Sequence, residues 1–220
     1  MRKRTFFLIG VLALAGLVAL PASAGVVYNN DFGGVTSGDN FNEDAFTINF
    51  GFSVTDSFVL GASTSITGAN FAVWASPGDT LSSVNWYITT GPASGTTLAS
   101  GTASPTGSTL VGSNAYGYTI LNESFNIPSL ALNGATTYWF QLDTASVPSG
   151  DPIYWDQSDG PSTGYQNGNL LPDGFQCQGL CTGSESFELL SSGTPEPGSL
   201  TLLGGGLLAM ATFLRRKKKA

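Results

Sequence analysis

Apolar and polar side chains alternate along residues 46–54, and a period of two places Phe46, Ile48, Phe50, Phe52 and Val54 on one face of a half-buried strand. Further strands are expected over residues 56–61, 69–75, 84–89, 97–102, 116–127, 136–143, 152–155 and 186–190. Turn-forming strings separate them: Pro77-Gly78-Asp79, Gly91-Pro92, Ser104-Pro105, Asn133-Gly134, Ser149-Gly150 and Asp159-Gly160-Pro161. No window carries an apolar stripe of 3.6-residue period over a helix length. Many short strands between turns predict an all-β body, an antiparallel β-sandwich of jelly-roll type. Phe71, Trp74, Trp86, Ile88, Trp139 and Phe140 are expected in its core. Alternation puts Tyr138, Phe140 and Leu142 on one face of their strand and Trp139 and Gln141 on the other.

Two stretches depart from this pattern because they are apolar almost throughout. Phe6 to Leu20 follows Arg2, Lys3 and Arg4; Pro21 ends it, and Ala22-Ser23-Ala24 offers a small-x-small cleavage site. At 1.5 Å per residue the run spans about 22 Å, short of the ~30 Å hydrocarbon core. Residues 1–24 therefore read as a signal peptide that signal peptidase removes, leaving Gly25 as the new N-terminus. Leu200 to Leu214 is the second run, closed by Arg215, Arg216, Lys217, Lys218 and Lys219. Pro195-Glu196-Pro197 precedes it, and proline restricts both itself and the residue before it, so this step is extended. From Gly198 the segment would reach about 26 Å as a helix, a marginal membrane span.

The order of Pro-Glu-Pro, apolar helix and basic end, over residues 194–220, resembles the PEP-CTERM sorting signal of Gram-negative bacteria. The residue before the tripeptide is often Val in that family and is Thr194 here. The resemblance implies that Pro195, Glu196 and Pro197 are recognised by exosortase, a membrane protease-transpeptidase, and that the tail is cut off during sorting. It implies a transient anchor in the inner membrane and a destination at the cell surface or in the extracellular matrix. The body, residues 25–193, is similar in part to other exported proteins bearing this tail. The shared strings are Phe71, Trp74, Pro77-Gly78-Asp79 and Trp86-Tyr87-Ile88, with Thr137-Tyr138-Trp139 and Tyr154-Trp155-Asp156-Gln157-Ser158.

Charge is segregated with the same sharpness. All eight Lys and Arg lie at the two ends, and between Thr5 and Leu214 there are 15 acids and no Lys, Arg or His. Cations are held on the cytoplasmic side of a membrane, so the acidic body is the part that crosses. Without bases it cannot grip phosphates, which excludes nucleic acid as a partner. The acids are expected on the surface, keeping the body soluble. Ser-His-Asp, Cys-His and Schiff-base lysine chemistry are equally out of reach. A glycosidase needs only two carboxylates, with Glu43, Asp44, Glu123, Asp156 and Asp159 as candidates, but loop-capping or solvated acids are the plainer reading.

No cofactor is required, although Ca²⁺ favours carboxylate and carbonyl oxygens. Asp151, Asp156 and Asp159 form one candidate calcium loop, and the oxygen-rich residues 39–44 another. Tyr154, Trp155 and Tyr165, in Gly- and Ser-rich surroundings, are candidates to stack on sugar rings; burial in the sandwich is the alternative. Cys177 and Cys181 could pair across three residues in an oxidising compartment, worth about 2 kcal/mol for so short a loop, or stay free. The expectation is an exported, non-enzymatic surface or matrix protein. A module binding extracellular polysaccharide is the alternative, and a two-carboxylate glycoside hydrolase comes third.

Overall fold

The computed structural model describes residues 25–32, 45–92, 94–158, 160–171 and 183–192. The expected signal peptide, the sorting tail with the helix expected in it, residues 39–44, Asp159, Cys177 and Cys181 lie outside the described residues. Gly25–Ser191 is one compact unit.

Among the described residues the body is all strand and no helix. One sheet is built from β1 (Gly25–Asn30), β2 (Ala45–Thr47), β4 (Thr64–Ala75), β7 (Gly107–Ser113), β8 (Thr119–Leu132), β10 (Tyr154–Ser158), β13 (Ser184–Glu185) and β14 (Phe187–Ser191). The other runs in the order β12 (Asn169–Leu170), β11 (Gly164–Gln166), β3 (Ser53–Val59), β9 (Thr137–Ser146), β5 (Ser83–Thr89), β6 (Thr97–Ala103). Every pairing between these strands is antiparallel; a lone parallel bridge joins Asp31 to Phe187. The long strand β4 organises its sheet. β8 lies along one side from Thr64 to Ala75, while β14 and then β10 share the other side.

Strand alternation sends Val54 and Phe58, Tyr138, Phe140 and Leu142, and Val84, Trp86 and Ile88 inward from one sheet. Phe71, Val73, Phe125, Ile127, Trp155, Phe187 and Leu189 meet them from the other. Rings interlock between the two faces: Phe140 meets Trp155 edge-on at 5.4 Å and 78°, and Trp86 stacks on Phe125 at 6.3 Å and 29°. Such pairs add about 0.5–1.5 kcal/mol each beyond their burial. The expected core thus holds for Phe71, Trp86, Ile88 and Phe140. Trp139 is half-buried on the opposite face of β9 from Phe140. Trp74 is buried, but on the outer side of its sheet, because β4 sends Phe71, Val73 and Ala75 inward at alternate positions.

The nine-residue strand expected over 46–54 does not form. β2 stops at Thr47 and β3 starts at Ser53, and between them the chain turns: the Phe52 N–H donates to the Asn49 carbonyl at 3.0 Å. Phe50 and Gly51 both have positive φ, 54° and 84°, the geometry of a type I′ turn, which glycine adopts without penalty. Phe50 and Phe52 are consequently exposed rather than inward. The Asn49 side chain fixes the bend by donating to the Asp151 carbonyl at 2.9 Å. A second turn of the same kind, at Asn167 and Gly168 with φ of 48° and 78°, closes the β11–β12 hairpin.

Candidate functional site

Two groups of side chains stand out, one inside the body and one on it. The inner group begins with Asp56. On β3 it occupies the position between Val54 and Phe58, so alternation drives a carboxyl into the apolar face, where it is fully buried. Its Oδ2 accepts from the Ser162 hydroxyl at 2.6 Å, the Glu185 backbone N–H at 2.5 Å and the Asn30 amide at 3.3 Å, and its Oδ1 accepts from the Ser57 N–H at 2.6 Å. Asn30, also fully buried, donates as well to Ser184 Oγ at 2.7 Å and to the Glu185 carbonyl at 2.5 Å. Tyr28 closes the group by donating its hydroxyl to Asn30 Oδ1 at 3.2 Å. β1, β3, β13 and the chain ahead of β11 are thereby tied at one point.

The body has no Lys, Arg or His to balance these acids, and burial dominates their protonation. It pushes Asp56 up to about 7, against the pull of its donors. Glu185, with no exposed surface, is raised well above the usual carboxylate range by burial first and then by Asp56 and Asp156; the Gln157 amide opposite it favours the charged form. Neither Glu185 oxygen has a well-formed hydrogen bond. Glu123 on β8 is a third acid turned inward, between Leu121 and Phe125; burial raises it, and Ser108 donates to it at 3.0 Å. Tyr28 is raised too, by burial and then by Asp56. Carboxyls raised in this way can serve as general acids when substrate reaches them. These are sealed from solvent, and the donors gathered on Asp56 make it a clasp between strands rather than an acid that a substrate can reach. Three of the acids expected on the surface are therefore interior.

The outer group lies on the solvent side of β4 and β10. Trp74 is anchored by its indole N–H, which donates to Asp156 Oδ1 at 2.6 Å. Tyr116 stacks on it at 5.9 Å and 30°, and Tyr118 at 6.1 Å and 28°. Tyr154, directly opposite Trp74 in register, meets Tyr118 edge-on at 5.4 Å. The turn ahead of β8 presents both tyrosines, since Asn114 Oδ1 accepts from the N–H groups of Tyr116 and Tyr118 at 3.1 and 2.9 Å. Tyr116 is 63% exposed, while Tyr118 and Tyr154 are half-buried. Burial and the Tyr118 hydroxyl push the Tyr154 phenol to about 12.

The candidates read from sequence are redistributed. Trp155 is fully buried, its N–H donating to the Ser186 carbonyl at 3.0 Å, so it cannot stack on a sugar. The alternation that turns Tyr154 outward turns Trp155 inward. Tyr165 sits on β11 in the other sheet, apart from Tyr154 in the strand order. Asp151 is exposed in the loop before β10, and Asp156 holds Trp74. Among the described residues no group of three or more His, Cys, Asp and Glu is arranged to hold a metal. Glu123 faces inward and Asp156 outward on one sheet, so these two cannot flank a single glycosidic bond. Asp56, Glu185 and the Trp74 group were missed by sequence reasoning. The spacing Val54-x-Asp56-x-Phe58 carries the signal for the first.

Residues 194–218 match the PEP-CTERM protein-sorting motif. The chain is thus an exported protein carrying the sorting signal of exosortase, a membrane enzyme. No curated protein matches the chain.

Proposed function

We propose that this is a non-enzymatic surface or matrix protein whose body, a β-sandwich of jelly-roll type, is delivered by tail processing. The observation that carries the reading is the sorting motif at residues 194–218, standing next to a body with 14 acids and no base. The chain crosses repeatedly from one sheet to the other between consecutive strands, which supports the jelly-roll topology. Mass spectrometry of the surface form is expected to show residues 1–24 and the basic tail missing. Glu196→Ala is expected to trap uncut protein in the membrane. A surface form that retains Arg215 to Lys219 would refute the reading.

A second reading is favoured by the aromatic group on β4 and β10. An exposed Tyr116 ring stacked at 30° on a rigid Trp74 gives an apolar surface of the kind on which sugar rings stack. The ligand class is the polysaccharide outside the cell. Tyr116→Ala should abolish retention of the chain on that polysaccharide while leaving the melting temperature within about 2 °C, as expected of an exposed position. Retention unchanged in Tyr116→Ala sinks this site.

A further inference from the structure

We propose that two copies of this chain pair through β6, antiparallel across a twofold axis, so that the six-stranded sheet of one protomer continues into the next. Among the described residues β6 pairs with β5 alone and ends its sheet. Its far side therefore presents a row of backbone N–H and C=O groups, a template for another strand. Edge strands are ordinarily blocked by a charge, a proline or a bulge. β6 has no charged residue and no proline; Pro105 lies beyond its end. The register shift against β5 falls at its start, leaving Ala99 to Ala103 in regular alignment with Ile88 to Val84. β7 and β1, edges of the other sheet, are less suited, because register shifts between Leu110 and Gly112 and between Val26 and Tyr28 interrupt their ladders.

Charge selects a second copy as the occupant. The body carries 14 acids and no base, so two copies repel one another over most approaches. Between Asp79 and Glu123 there is no charged residue at all, and Glu123 is buried. β6 lies inside that neutral stretch, and β5 stands between it and Asp143 of β9, so two like-charged bodies can meet along this edge at low cost. A cationic partner would be drawn to the acid-bearing faces instead. Apart from Leu98 the strand's residues are small, which lets backbones approach, and Leu98, 41% exposed, supplies apolar surface at the seam. The pairing is isologous and closes on itself as a dimer. It stands whether or not the sorting and sugar readings hold.

Sedimentation velocity on the chain as the cell processes and releases it tests the pairing. A dimer is expected, strengthened by added salt as screening relieves the remaining acid repulsion. Ser100→Asp places like charges across the axis and should raise the dimer dissociation constant about tenfold or more. Thr137→Asp adds the same charge at an exposed position of β9, an interior strand of the same sheet, and should leave the dimer intact. Circular dichroism unchanged in both variants shows that folding is not the cause. A monomer at every concentration, or a Ser100→Asp chain that dimerises like the parent, overturns the proposal.

Discussion

Replacing Trp155 by alanine is expected to destabilise the body by about 3–5 kcal/mol, the cost of emptying a large aromatic site in a packed core. The ring touches Phe71 at 6.4 Å, Phe140 at 5.4 Å and Phe187 at 5.7 Å, so it joins the two sheets rather than decorating one. Its loss also leaves the buried Ser186 carbonyl without the indole donor. Domains of this kind have only about 5–15 kcal/mol in total, so the variant should unfold at a much lower urea concentration. Trp155→Phe keeps most of the volume and should fall between the two. A midpoint for Trp155→Ala equal to that of the parent would show that the ring is not in the core. Tyr165→Ala, at a half-buried position on β11, should cost far less.

The body is expected to lose stability as pH rises from about 4 to about 7, the reverse of a protein whose carboxylates sit in ion pairs. Asp56 titrates near 3.8 when unfolded and at about 7 when folded. Between those values the native state holds a proton that the unfolded chain releases, so the unfolding free energy falls with pH. At 1.36 kcal/mol per pH unit the loss is on the order of 4 kcal/mol, complete once pH exceeds the folded value. Below about pH 4 the contribution is fully present and flat. Glu185 and Glu123, also raised by burial, act in the same direction from their own unfolded values. Urea midpoints measured at pH 4.5 and pH 8 check this. Asp56→Asn, which mimics the neutral acid, should remove a large part of the slope. A midpoint that rises over that interval would refute the assignment.

Alternation was sufficient for the body of the fold, and it also explains where the reading failed. In β9 and β5 the inward positions are apolar and the turns at each end are marked by Gly or Pro, so pattern and structure agree. Residues 46–54 follow the same alternation, yet Asn49, Phe50 and Gly51 form a turn. A pattern of side chains is silent about φ, and the glycine inside an apolar series was the warning. β7 was not recognised because its Gly- and Ser-rich string carries little apolar signal, and β11 and β12 are too short to show a period. The carboxyl clasp was legible in principle. Asp56 lies between Val54 and Phe58, Glu123 between Leu121 and Phe125, and Glu185 two before Phe187. Each acid sits in an apolar register, but charge is ordinarily read as surface. The Trp74 group could not be read, because it depends on a turn that brings Tyr116 and Tyr118 over a strand far away in sequence.

Gly25 faces Ser191 across the β1–β14 ladder. The chain therefore enters and leaves the body through one doorway, where the body's two extremities, Gly25 and Ser191, lie side by side. The same arrangement has a mechanical cost. Tension between those extremities would open the seam like a zipper, rung after rung from that doorway, instead of loading its five rungs together. Severing either tether beyond the doorway abolishes the load and leaves the seam closed.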